Sequence, residues 1–85
     1  MKHASDETLD QIEQVLADLR QCKGIKEKKR GIFYRKSKAF LHFHEDPAGI
    51  FADIRDKDDW ERLPVNTPAE RERLMTRITS SISNA

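Results

Sequence analysis

Residues 31–55 read GIFYRKSKAFLHFHEDPAGIFADIR, three short runs of alternating apolar and polar residues separated by turn formers. A period of two marks a half-buried strand, and three such runs this close together commit the chain to an antiparallel meander. The stretch also holds all four phenylalanines, the only tyrosine and two of the three histidines. The spacing predicts strands over 31–36, 39–45 and 50–55, with a two-residue loop at Ser37-Lys38 and a type I turn over Asp46-Pro47-Ala48-Gly49. Residues 25–29 are highly charged and read equally as loop or as the start of the first strand. A fourth strand over 60–65 follows a polar turn, with Pro64 confining it to an edge or an end.

Helical patterns flank the strands. Leu9, Ile12, Val15, Leu16 and Leu19 form one apolar stripe, so a helix is expected over about 6–22, capped by Ser5 or Asp6 and closed by Gly24. Cys22 extends the stripe and reads as a small buried hydrophobe. Thr67-Pro68-Ala69-Glu70 is a capping box, which starts a helix over about 68–81 with Leu74, Met75, Ile78 and Ile82 facing inward. Residues 80–85 are expected to fray. The expected fold is therefore α+β, a two-layer sandwich in the order α-β-β-β-β-α. Both helices cover one face of an antiparallel β-meander.

The loop positions fix the strand pairing. A loop at Ser37-Lys38 pairs Arg35 with Phe40 and Phe33 with His42. The next turns pair His44 with Phe51, His42 with Asp53, Arg55 with Trp60, Asp53 with Arg62 and Ala52 with Leu63. One face then collects Ile32, Tyr34, Leu41, Phe43, Ile50, Ala52, Ile54, Leu63 and Val65, the natural seat for the helices. The other collects Phe33, Arg35, Phe40, His42 and His44 with Phe51, Asp53, Arg55, Trp60 and Arg62. Nothing in the chain is left over to cover that second face. A row of Phe33, His42, Asp53 and Arg62 crosses its middle.

Eighty-five residues make one domain, 1–85, and bury only about 60–65% of the unfolded surface. A chain of this size has no room for a catalytic domain plus a regulatory one. One cysteine excludes an internal disulfide and suits a reducing cytoplasm. No signal-peptide core or membrane-length apolar run is present, so no membrane association is expected. The net charge of +1 hides segregation. Residues 1–22 carry net −3, residues 23–38 net +7, residues 39–66 net −4 and residues 67–85 net +1. The basic patch is Lys23, Lys26, Lys28, Lys29, Arg30, Lys36 and Lys38, with Arg35 inside the same segment. It either pairs with the acidic segments folded beside it or attracts an acidic partner.

Four chemistries suit these residues. His42-Phe43-His44 places two imidazoles on one face, roughly 6.5–7 Å apart along the strand, a spacing that chelates a divalent transition metal if a third ligand such as Asp53 converges. His42 with Asp53 resembles an oriented general base, but an open sheet face offers no water-excluding pocket, so no catalytic residue and no enzyme activity is expected. The basic patch beside Phe33, Phe40 and Phe51 suits single-stranded nucleic acid, with bases stacked and phosphates held. An exposed patch of Phe, Trp and Arg has the composition of a protein interface.

The stretches Phe40-Leu41-His42-Phe43-His44-Glu45-Asp46 and Gly49-Ile50-Phe51-Ala52-Asp53-Ile54-Arg55, then Trp60-Glu61-Arg62 and Thr67-Pro68-Ala69-Glu70-Arg71, resemble a group of short uncharacterised bacterial proteins over about residues 31–78. The resemblance implies a stand-alone bacterial domain and brings no activity or catalytic residue with it. The expected function is a small non-catalytic binding module that uses the open sheet face for a protein partner or for self-association, as a homodimer. Single-stranded nucleic acid and a metal site at His42, His44 and Asp53 are the alternatives, and no cofactor is expected.

Overall fold

The computed structural model describes residues 2–83. Its elements are β1 (Lys2–His3), α1 (Asp6–Gln11), α2 (Glu13–Arg20), β2 (Lys26–Lys29), β3 (Ile32–Arg35), β4 (Lys38–Asp46), β5 (Gly49–Asp56), β6 (Asp59–Pro64) and α3 (Pro68–Ser83). The fold is α+β, with an antiparallel sheet in the order β2-β3-β4-β5-β6. β1 pairs with the C-terminal half of β4, in line with β3. Leu9, Ile12, Leu16 and Leu19 from α1 and α2, with Leu74 and Ile78 from α3, pack against Phe33, Leu41, Phe43, Ala52, Ile54 and Val65 of the sheet side. Among the described residues, no helix is long and apolar enough to cross a membrane.

Local chemistry sets the element ends. The Ser5 hydroxyl accepts from the Thr8 N–H at the start of α1. Thr67 and Glu70 form the reciprocal capping box: the Glu70 N–H donates to the Thr67 hydroxyl and the Thr67 N–H donates to the Glu70 carboxylate. Pro64 closes β6 on the sheet edge, as its missing N–H requires. Gly49 sits at φ +134, and a Cβ there would lie 2.7 Å from the Asn66 amide. That amide both donates to and accepts from the Ile50 backbone, so the close approach ties β5 to the start of α3.

Several expectations are corrected. The charged run before β3 is a fifth meander strand, β2, and Lys2–His3 adds a short sixth strand. The first helix breaks at Ile12, whose N–H bonds back three residues to Leu9 O as well as capping α1. α2 stops at Arg20, so Gly24 serves a later turn at φ +98 rather than the helix end itself. Cys22 is half-buried, its thiol 3.7 Å from Asp18 O. α3 runs through Ser83, so 80–83 are helical, and residues 84–85 of the expected frayed end lie outside the described residues.

The largest correction concerns the β3–β4 hairpin. The loop is Lys36-Ser37, one residue earlier than expected, with φ +52 and +70. Two consecutive positive φ values define the type I′ turn that matches strand twist, here built without glycine or asparagine. Arg35 pairs with Lys38 and Tyr34 with Ala39; then Phe40 is skipped as a bulge and Phe33 pairs with Leu41 and Ile32 with His42. The odd residue reverses the faces of β3. Phe33 and Phe40 both enter the core, while Ile32 and Tyr34 leave it. Arg35 goes with Phe33, its guanidinium 5.8 Å from the centre of the Phe40 ring, on the side where α3 ends. The β4–β5 and β5–β6 registers are those expected, including His42–Asp53, His44–Phe51, Arg55–Trp60, Asp53–Arg62 and Ala52–Leu63.

Candidate metal centre

β4 and β5 set the centre of the open face. His42 and His44 alternate on β4, and Asp53 stands opposite His42 on β5. Ile32 replaces Phe33 in the row that continues to His42, Asp53 and Arg62. Arg62 on β6 grips Asp53 with two charge-assisted hydrogen bonds, Nε to Oδ1 at 2.8 Å and Nη2 to Oδ2 at 2.9 Å. Trp60 stands over His42 at 4.7 Å between ring centroids. The Arg55 guanidinium lies 4.7 Å from the centre of the Trp60 ring and is itself held by donating to Ala39 O. Trp60 is 41% exposed and Phe51 is half-buried opposite His44 and Pro64.

The N-terminus completes the group. Lys2 pairs with Glu45 and His3 with His44 across β1–β4, and the Ala4 N–H bonds to Phe43 O. The Glu45 carboxylate accepts from the Ser5 N–H at 2.6 Å and from the Thr8 hydroxyl at 2.9 Å, clamping the β1–α1 junction onto β4. The Ser5 N–H, then the Thr8 hydroxyl, holds that carboxyl below the usual range. His3 is delivered to the open face as a result. Its ring centroid lies 4.8 Å from His44 and 5.7 Å from His42, and His42 lies 4.7 Å from His44. One nitrogen from each of the three imidazoles falls within 4.8 Å of the others.

The electrostatics favour neutral imidazoles around a fixed anion. Burial pushes His42 below the ordinary histidine range, with the His44 imidazole adding to the shift and Asp53 opposing it. Burial does the same to His44, again against Asp53. The Arg62 guanidinium holds the Asp53 carboxyl below the usual carboxylate range, despite its burial. The Nδ1 atoms of His42 and His44 are buried without a hydrogen-bond partner. Asp53 Oδ2 lies 2.9 Å from His44 Nδ1 and 4.0 Å from His42 Nδ1, close enough for attraction but not aligned as a hydrogen bond.

Of the expected open-face residues, His42, His44, Phe51, Asp53, Arg55, Trp60 and Arg62 come together, whereas Phe33, Phe40 and Arg35 do not. Among the described residues the basic patch is only partly internally paired: Arg30 binds Asp6, Asp10 and Glu13. His3 is the residue that sequence reasoning missed. A two-residue strand carries no periodicity, and only its pairing with distant β4 reveals its role. Comparison with protein-family models, curated proteins and solved structures finds no match to the chain.

Proposed function

We propose that the protein is a small non-catalytic binding module whose open sheet face takes one divalent transition metal on His3, His42 and His44. The observation that carries this reading is the convergence of three imidazoles from two non-adjacent segments within 4.8 Å. Tetrahedral zinc with bonds of about 2.0–2.1 Å needs nitrogens about 3.3 Å apart, so side-chain closure of about 1.5 Å suffices. All-imidazole sets suit zinc, copper and nickel. Metals bind neutral imidazole, the form that burial already favours at His42 and His44. A ligating histidine commonly directs its other ring nitrogen to a carboxylate. Asp53, held by Arg62, stands beside the His44 and His42 Nδ1 atoms in that position.

The test is calorimetric titration of metal-free protein with zinc. The expected result is one equivalent bound, with affinity lost at least about tenfold in His3→Ala, His42→Ala and His44→Ala alike. Binding that survives all three substitutions overturns the reading.

A protein contact on the same face, with a partner or a second copy, is the second reading. Exposed Trp60 favours it, but burial of Phe33 and Phe40 removes half of the expected aromatic patch. Concentration-dependent sedimentation that Trp60→Ala abolishes would support self-association. A monomer at every concentration would remove it. The lone cysteine suits a reducing cytoplasmic setting for either reading.

A further inference from the structure

Two arginines take up Asp6, Asp10, Glu13 and Glu27. Arg30 bonds Asp6, Asp10 and Glu13, and Arg20 bonds Glu13 and Glu27. Six lysines of the same segment have no such partner: Lys23, Lys26, Lys28, Lys29, Lys36 and Lys38 make no ion pair among the described residues. The excess positive charge of residues 23–38 is therefore not neutralised within the fold.

Three of these lysines share one hollow with an aromatic ring. Lys26 pairs with Tyr34 across β2–β3, and the Lys28 ammonium lies 4.9 Å above the Tyr34 ring. Lys36, in the type I′ turn, lines the same hollow. With Gly24, Ile25 and Ser37 they line an open hollow of about 440 Å³. Because Phe33 points to the core, Tyr34 points to the opposite face of β3.

We propose that this hollow binds the phosphate backbone of single-stranded nucleic acid, with Tyr34 as the stacking surface for a base. The site differs from the one that the sequence suggests, since Phe33 and Phe40 are buried and unavailable. It goes beyond the metal reading and stands independently of it. Lysines act as point charges for phosphates, and an aromatic ring stacks on unpaired bases, which selects a single strand over a duplex. Addition of an acidic peptide as a further strand is disfavoured, because β2 is bulged between Glu27 and Lys29, which interrupts the regular edge that a further strand needs.

The test is fluorescence anisotropy of a labelled oligothymidine at low and moderate salt, with polyglutamate as the control polyanion. Three phosphate contacts predict a slope of log affinity against log salt near about −2. The triple variant Lys26→Glu, Lys28→Glu, Lys36→Glu is expected to bind at least about tenfold more weakly while keeping its melting curve. Tyr34→Leu is expected to lose at least about fivefold for the oligonucleotide and nothing for polyglutamate. Should the triple variant fail to fold, Lys28→Gln and Tyr34→Leu carry the comparison. Absent or salt-insensitive binding overturns the proposal, as does equal binding of polyglutamate with no effect of Tyr34→Leu.

Discussion

His3 lies directly opposite His44 in the β1–β4 pair, with 4.8 Å between ring centroids. Forty-one positions apart in the chain, the two are brought together by one short backbone pairing and by the Glu45 carboxylate that holds Ser5 and Thr8. The candidate metal centre therefore depends on a residue that is not itself a ligand. Glu45→Ala is expected to weaken zinc binding by about tenfold, as loss of an outer-sphere support commonly does, while His42 and His44 stay in place. Titration calorimetry on the variant checks this, and unchanged affinity would mean that Glu45 does not position His3.

The reversed face of β3 has a direct energetic consequence. Phe33 is fully buried, whereas Phe51 is half-buried on the open face. Phe33→Ala is expected to cost about 3–5 kcal/mol and Phe51→Ala clearly less, measured by urea unfolding. Equal small losses would return Phe33 to the solvent face.

The β3–β4 turn is strained by its sequence. Lys36 and Ser37 both occupy positive φ without being glycine or asparagine. Lys36→Asn with Ser37→Gly is expected to stabilise the protein by about 1 kcal/mol, because asparagine and glycine adopt a type I′ turn at less cost. A rise in the urea midpoint checks it, and a fall would argue against the turn assignment.

Acid should destabilise the metal-free protein in two stages. His42 and His44 have folded pKa values below the ordinary 6.5, so the unfolded chain takes up protons that the fold excludes, and stability declines as pH drops below about 6.5. Asp53 is depressed below the ordinary 3.8, so its contribution is present above that value and is lost as pH falls beneath it. Melting curves from neutral to acid pH check both. Asp53→Asn is expected to shrink the lower stage, to which Glu13, Glu27 and Glu45 also contribute, and to enlarge the upper one, since the carboxylate favours protonated imidazoles.

The β4, β5 and β6 registers were legible because Asp46-Pro47-Ala48-Gly49 fixes one turn and a single odd-residue slip would expose Ile50, Ala52 and Ile54 together. The same logic failed at β3. The Lys36-Ser37 turn lacks the residues that announce it, and the bulge at Phe40 adds one residue that no periodicity predicts. β2 escaped because four charged residues in a row carry no apolar alternation. His42, His44, Asp53 and Arg62 were readable as neighbours from local pairing. His3 was not, since its place is set by a long-range contact of a strand too short to leave a pattern.

The most direct measurement is a zinc titration of metal-free protein followed by the imidazole nitrogen resonances. His3, His42 and His44 are expected to shift together and to reach saturation at one equivalent. Imidazole signals that stay unchanged at modest excess, or a shift confined to a single histidine, would contradict the proposed metal centre.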